Sequence, residues 1–501
     1  MNERYLLGLD AGNTVIKAVL FRTDGTQLAM AGRDGASATP APGHVERSIP
    51  ELWDNAQQVI RDCIASAGID PADIAAIACA GHGNGLYLLD QAGDGLIGIQ
   101  SLDARAADLA GTLKAQSGAQ LHARCLQMPW PAQTATLLAW LKQNAPDTYA
   151  RAGTVLCAKD VVTWHLTGQR VSEISDMSGG GLLNMTTLAY DTELMQLYGL
   201  DDAMGLLPRL LNPSDIAGHV TEAAAAATGL RAGTPVMAGL FDVVASALGS
   251  GAAENGQASI IAGSWSINQV LSATPPANPD LFMVTAFRPE RFVTLEASAT
   301  SAANLEWYVR HLVERGGHHD DPFGHCNTAV AATPPAADDP FFHPFLYGSG
   351  QGADFRAGFY GLAGWHGEGH LLRALFEGVA FEHKRHIGVM AGAGMQFDTA
   401  ILSGGGARSP VWPQIFADVL QIPVTVARAE ETGALGAAMS AAVGLKLFPG
   451  YAAAANAMAA PDRSYTPDPA MTDHYARRYA SYTALTDALR PFWASLAAGD
   501  R

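Results

Sequence analysis

The sequence predicts an α/β protein of two large lobes, and three observations carry that reading. The chain has 501 residues, at about 100–200 residues per domain too many for one ordinary domain. Hydrophobic residues make up 48% and charged residues 16%, enough apolar material for large cores and unlike a disordered or fibrous chain. Two strand–turn–strand units, each with small residues and a hydroxyl at its turn, begin the two halves. That repetition suggests a duplicated architecture, one lobe over 1–250 and the other over 251–501.

The first unit is Tyr5 to Leu9, the turn Asp10-Ala11-Gly12-Asn13-Thr14, then Val15 to Phe21. Asp24-Gly25 signals a hairpin before a third strand around Gln27 to Met30. Ser48-Ile49-Pro50-Glu51 reads as a capping box opening a helix to about Ala67, stopped by Gly68. Ile74 to Ala80 is an apolar strand ending in Gly81-His82-Gly83-Asn84-Gly85, and Leu86 to Leu89 follows as another. In the second half, Ala258 to Ala262, Gly263-Ser264 and Trp265 to Leu271 repeat the opening pattern. Gly316 to Asp339, rich in Gly, Pro, His and Asp, reads as a surface excursion. Thr399 to Leu402 is a strand emptying into Ser403-Gly404-Gly405-Gly406-Ala407, after which Ser409-Pro410 caps a helix through Leu420. Thr432-Gly433-Ala434 opens a small-residue helix, and a last amphipathic helix covers about Thr472 to Leu489, with Pro491 expected to kink or end it.

Composition narrows the function classes. With 31 basic and 48 acidic residues the net charge is −17, which repels nucleic acid and anionic membranes. Five scattered cysteines without a C-x-x-C pair suit buried reduced thiols. The N-terminus has no signal-peptide pattern, and no run of about 18 apolar residues occurs; a soluble cytoplasmic protein is the expectation. No lysine follows a glycine, so there is no P-loop, and G-x-S-x-G is missing. The G-x-G-x-x-G at Gly93 to Gly98 sits in a hairpin-like turn and opens no helix, so it is no dinucleotide site. His318, His319, Asp320, Asp321, His325 and Cys326 include zinc-ligand types, but adjacent histidines converge poorly on one tetrahedral ion.

Three small-residue turns remain, each following a strand: Asp10 to Thr14, Gly263-Ser264 and Gly404 to Ala407. Such turns let backbone N–H groups approach phosphate oxygens. Asp10 adds a carboxylate suited to Mg²⁺ beside a polyphosphate, or it closes an Asx-turn on its own backbone.

These residues carry a family resemblance. Leu9-Asp10-Ala11-Gly12-Asn13-Thr14-Val15-Ile16-Lys17 resembles the first phosphate motif of the FGGY carbohydrate kinases. Gly233-Thr234-Pro235-Val236 through Asp242 resembles the family's segment that ends in the catalytic base. Ile261-Ala262-Gly263-Ser264-Trp265 is similar to the second phosphate motif, and Ser403 through Asp418 to the adenosine signature. Within the family, Phe241-Asp242-Val243-Val244, Glu296-Ala297-Ser298, Asn304-Leu305-Glu306-Trp307 and Pro344 to Ser349 resemble the branch acting on L-xylulose and 3-keto-L-gulonate. The N-terminal turn also resembles the erythritol kinases, and the sugar loop Gly81-His82-Gly83-Asn84 departs from both.

The resemblance implies a two-lobed actin-like (ribonuclease H-like) ATPase fold with a cleft between the lobes. It implies phosphate transfer from Mg·ATP to a terminal hydroxyl of a small-molecule sugar, L-xylulose first. Alternatives are erythritol or another polyol, D-xylulose or D-ribulose, and outside the class a non-catalytic actin-fold nucleotide switch. Asp242 would take the proton of the attacking hydroxyl, or cap the helix that follows. Asp10 would hold Mg²⁺ through water; Asn13, Thr14, Lys17, Gly263 and Ser264 would meet phosphate; and Gly404, Gly405, Gly406, Ala407 and Ser409 would cradle the nucleoside. His82, Asp103, Arg105 and Trp130, with Phe241 and Asp242, would line the sugar pocket, although Asp103 and Arg105 could instead form a surface pair. Dimers are common among similar kinases, so a homodimer fits the resemblance.

Overall fold

A computed structural model describes residues 4–351 and 355–499. Its contacts divide the chain into a first unit (Met1–Glu254, Leu271–Thr294, Glu431–Ala460) and a second (Asn255–Val270, Leu295–Glu430, Pro461–Arg501).

In the first unit the central strand Tyr5–Ala11 pairs antiparallel with Val15–Arg22 and parallel with Ile74–Gly81. A parallel neighbour needs a crossover, and the helix Ile49–Ala67 lies between the two strands in sequence. The sheet runs Ile216–His219, Pro235–Met237, Ile74–Gly81, Tyr5–Ala11, Val15–Arg22, Gln27–Asp34, with Leu240–Phe241 also on Ile74–Gly81. Leu7, Leu9 and Ala11 share one core with Ile16, Ala18 and Leu20 and with Leu52, Val59 and Val161 from helices. That spacing is the period of two expected of a strand with one face on a helical layer.

The helix Ile49–Ala67 starts and stops as its sequence predicts at Ser48 and Gly68, but its capping box is half made. The Ser48 hydroxyl accepts from Glu51 N at 3.4 Å, whereas the Glu51 carboxylate turns to Arg47 Nε at 2.9 Å. Gly93 to Gly98 does lie in a hairpin, its strand Gly95–Ile99 antiparallel to Leu86–Asp90.

The second unit repeats the local plan. Gln257–Ala262 pairs antiparallel with Ser266–Ser272 and parallel with Thr399–Ser403, followed by Val424–Ala427 and Pro461–Tyr465. The crossover contains the helix Glu368–Gly392. Two expectations need correction here. Gly316 to Asp339 is not only a surface excursion, because Asp321 accepts from Gly324 N and starts a helix, Pro322–Ala331. The last helix does not end at Pro491 but runs Thr472–Gly499. Proline removes one N–H donor, and the exposed C-terminal stretch leaves the freed carbonyl to water.

A buried polar chain braces the second unit. His383 Nδ1 donates to Asn268 Oδ1 at 2.8 Å, Asn268 Nδ2 donates to His386 Nδ1 at 2.8 Å, and His386 Nε2 reaches Ser298 Oγ at 3.0 Å. Burial holds His383 down to about 3 and His386 well below its ordinary range. Both are therefore neutral when folded, while the unfolded chain takes up protons once the pH falls below about 6.5. Stability contributed by these groups is present above that pH and lost below it. Thermal unfolding should move to lower temperature between about pH 7 and about pH 5, and His386→Gln should flatten that dependence. A wild-type melting temperature independent of pH over this range would contradict it. Among the described residues, no helix is long and apolar enough to cross a membrane.

Candidate active site

The candidate residues divide between the two units. In the first, strand pairing sets Asp10 directly across from Lys17 at the mouth of the opening hairpin. Gly12 N donates to Val15 O at 3.1 Å and closes the turn. Burial raises the Asp10 carboxyl to about 6 although Lys17 pulls it down, and Glu431 raises it further. Lys17 does not stand alone: its ammonium pairs with Glu431 Oε2 at 2.7 Å, just ahead of the helix Thr432–Gly444. Asn13 Nδ2 donates to Ser101 Oγ at 2.8 Å while its buried Oδ1 finds no partner among the described residues, and Thr14 is exposed. Asp10 and Glu431 are hard oxygen donors of the kind Mg²⁺ takes, usually with part of its water shell retained.

Asp242 begins the helix Asp242–Ser250, and Phe241, not Asp242, occupies the capping position. Asp242 is partly buried. Burial holds its pKa well above the ordinary carboxylate value, and the neighbouring charge of Asp10 raises it further. The Phe241 ring packs where a side chain on Gly83 would sit: a Cβ there would lie 2.5 Å from the ring and 2.7 Å from Asp176 Oδ1. Only glycine lets this loop approach so closely. His82, just before it, is buried and bonded through Nε2 to Tyr87 Oη at 3.0 Å. Burial, helped by Arg47, pushes His82 down to about 3, so it is a neutral hydrogen-bonding group. Among the described residues its Nδ1 finds no partner, and neither do Asn84 Oδ1 and Trp130 Nε1. Buried polar atoms without partners are rare and suit a pocket that takes a hydroxylated ligand.

Asp103 and Arg105 do pair, but the pair is buried, not on the surface. The guanidinium meets both Asp103 oxygens at 2.9–3.0 Å and reaches Glu46 at 2.8 Å, and Asp103 also accepts from Val45 N at 2.6 Å. Most of their hydrogen-bonding capacity is spent inside the protein. Trp130 is half-buried, its ring 5.5 Å from that of Phe282.

Sequence reasoning missed a cluster behind this loop. Lys159 Nζ is 2.5 Å from Asp160 Oδ1, 3.0 Å from Asp176 Oδ2 and 3.4 Å from Glu173 Oε1, and all four side chains are buried. Burial opposes the lysine's charge, but the three carboxylates outweigh it and hold its pKa well above the ordinary value. Burial pushes Asp176 and Glu173 upward, against the pull of Lys159. Cys157, Asp160 and Asp176 offer ligand atoms within 4.8 Å of one another, but the ammonium already sits on the two carboxylates. The available signal was a Lys-Asp pair interrupting an apolar helical run after Cys157.

In the second unit, Gly404 turns the chain at φ 86°, and a Cβ there would lie 3.0 Å from Gly263 N. The Gly263-Ser264 turn and the Gly404 to Ala407 loop are thereby brought side by side. The helix Trp412–Leu420 starts later than Ser409-Pro410 suggests, with Val411 in the capping position; Ser409 Oγ accepts from Trp412 N at 3.0 Å and donates to Asn327 Oδ1 at 2.6 Å. Gly405, Gly406, Arg408 and Ser409 line one side of a cavity of about 730 Å³, and Phe323 and Asn327 of the unforeseen helix line the other. This is a volume suited to a nucleotide-sized ligand.

Residues 5–249 match the N-terminal domain of the FGGY family of carbohydrate kinases, and residues 258–445 match its C-terminal domain. The L-xylulose/3-keto-L-gulonate kinase of Escherichia coli (strain K12) is 35% identical over 98% of this chain and 99% of its own. A probable L-xylulose kinase of Pasteurella multocida (strain Pm70) is 35% identical over 97% of this chain and 99% of its own. The crystal structure of a xylulose kinase from Rhodospirillum rubrum superposes with a TM-score of 0.88 at 30% identity, covering 98% of this chain and 100% of that one.

Proposed function

From the premise that the chain belongs to the FGGY family of carbohydrate kinases and has their actin-like fold, we propose that it phosphorylates L-xylulose or a closely similar ketopentose at a terminal hydroxyl. Its reaction class follows from the family: a sugar kinase with ATP as donor, not a non-catalytic nucleotide switch. The observation that carries the choice of sugar is the 35% identity to the Escherichia coli L-xylulose/3-keto-L-gulonate kinase along almost the whole of both chains.

Asp242 accepts the proton of the attacking hydroxyl as its oxygen bonds the γ-phosphorus and the bond from that phosphorus to the β,γ-bridging oxygen breaks, releasing ADP. Its raised pKa, from burial and Asp10, makes it a stronger base than an ordinary carboxylate, at the cost of needing a higher pH to be ionised. Asp10 holds Mg²⁺ through water; the ion, when bound, offsets phosphate charge. Asn13, Thr14, Gly263 and Ser264 receive phosphate oxygens, and Lys17 reaches phosphate by leaving Glu431. Gly404 to Ala407 and Ser409 cradle the nucleoside, supported by the cavity that Gly405, Gly406 and Ser409 line. His82, Trp130 and Phe241 face the sugar, and the Asp103–Arg105 pair shapes the loop beside it. The same reading assigns sugar and base to residues 1–250 and nucleotide to 251–501. A cytoplasmic setting is supported by five buried free cysteines, and a homodimer by its frequency among similar kinases.

A panel of ketopentoses, tetritols, pentitols and keto-acids, read by coupled ADP release, tests the substrate. The highest kcat/KM should fall to L-xylulose or its nearest ketopentose relatives. A clear preference for erythritol or another polyol would overturn the choice of sugar and leave the reaction class intact.

A further inference from the structure

The buried Lys159 cluster has no part in the roles above, yet hydrogen bonds lead from it to Phe241, the residue before the candidate base. Glu173 Oε1 accepts from Ser175 Oγ at 2.7 Å, and that same Ser175 oxygen accepts from Phe241 N at 3.0 Å. A hydroxyl has one proton; with that proton on the Glu173 carboxylate, its lone pairs are left for the Phe241 N–H. We propose that Ser175 is a positioning residue for Asp242, with Glu173 and Lys159 as its anchor. The proposal rests on the reading of Asp242 as the base.

Each link in this chain is fixed from a second side. Glu173 also accepts from Ser175 N at 2.6 Å and Asp176 N at 2.9 Å, so its carboxylate cannot rotate without losing three bonds. Lys159 Nζ stands 3.4 Å from the same Oε1. The Ser175 carbonyl accepts from Thr285 Oγ1 at 2.7 Å, tying the short helix Ile174–Gly179 to the strand Met283–Arg288. On the far side, Leu240 and Phe241 pair with Ala80 and Gly81, and the Phe241 ring fills the space beside Gly83 and Gly179. Phe241, the residue before Asp242, is thus held by a strand, by a ring contact and by the Ser175 hydroxyl. Of the three, the hydroxyl is the one that a single-atom change removes.

A buried ion cluster is seldom a gain in stability over apolar side chains of the same size. Its position two hydrogen bonds from Phe241, the residue before the candidate base, supports a role in geometry. Small misplacement of a reacting group can cost as much as about a hundredfold in rate.

The test compares Ser175→Ala and Ser175→Thr with wild type, each also in an Asp242→Asn background. Ser175→Ala should lower kcat by roughly ten- to a hundredfold while both KM values stay within about threefold. Ser175→Thr, which keeps the hydroxyl, should recover most of the loss. In the Asp242→Asn background Ser175→Ala should cost nothing further, because there is no base left to position. If the alanine variant does not fold, Ser175→Cys, similar in size but a weak acceptor, takes its place. A kcat within about twofold of wild type for Ser175→Ala, or an equal loss in the presence and absence of Asp242, overturns the proposal. A near-wild-type Asp242→Asn overturns the reading of the base and the proposal with it, whereas an inactive Asp242→Asn with an innocuous Ser175→Ala overturns the proposal alone.

Discussion

Asp242→Asn is expected to lower kcat by about 10²–10⁴-fold, the usual contribution of a placed general base, with little change in sugar affinity. The amide fills the same space and still hydrogen-bonds a hydroxyl, but it cannot take the proton. Because Phe241, not Asp242, holds the capping position, the substitution does not remove a helix cap and should leave folding nearly unchanged. The same carboxylate sets a pH dependence. Its pKa is raised by burial and by Asp10, so kcat/KM should rise with pH through a midpoint above that of an ordinary carboxylate, and Asp242→Asn should lose that limb. Full-rate turnover by the amide variant would remove Asp242 from the chemistry.

Lys159→Met should be the most destabilising single change in the first unit. It removes the one cation from among Asp160, Glu173 and Asp176, all fully buried. Breaking a buried ion pair by deleting one partner costs about 3–5 kcal/mol, which for a unit of this size corresponds to a melting temperature lower by roughly 10 °C. Adding Asp160→Asn should return part of the loss by relieving one uncompensated charge. A change of about 1 °C or less in the Lys159→Met melting curve would show that the carboxylates neutralise themselves by taking up protons.

Much of the fold could be read from local sequence, because hairpins, caps and glycine turns are decided within a few residues. Asp10 to Thr14 closes a hairpin, Gly68 ends a helix, and Gly404 turns a strand into the glycine-rich loop, each for reasons present in its own neighbourhood. What could not be read is tertiary. Lys17 meets Glu431 across 414 positions of sequence, and no spacing rule connects them. Lys159 carries no local sign of its partners, because two of its three carboxylates, Glu173 and Asp176, come from other elements. Asp103 and Arg105 could be read as a pair, but not that the pair is buried. The helix Pro322–Ala331 was obscured by a His-, Gly- and Pro-rich composition, although Asp321-Pro322 is a recognisable helix start. Its Phe323 and Asn327 line part of the cavity of about 730 Å³ beside the glycine loop, a wall that local motifs did not foretell.

The most direct test of the account is ATP turnover by the wild-type protein with and without L-xylulose, read as ADP release together with sugar phosphate formed. The account predicts turnover that depends on the sugar, one sugar phosphate for each ADP, and loss of that dependence's rate in Asp242→Asn. ADP release that is the same with and without any pentulose, and no sugar phosphate formed, would contradict it.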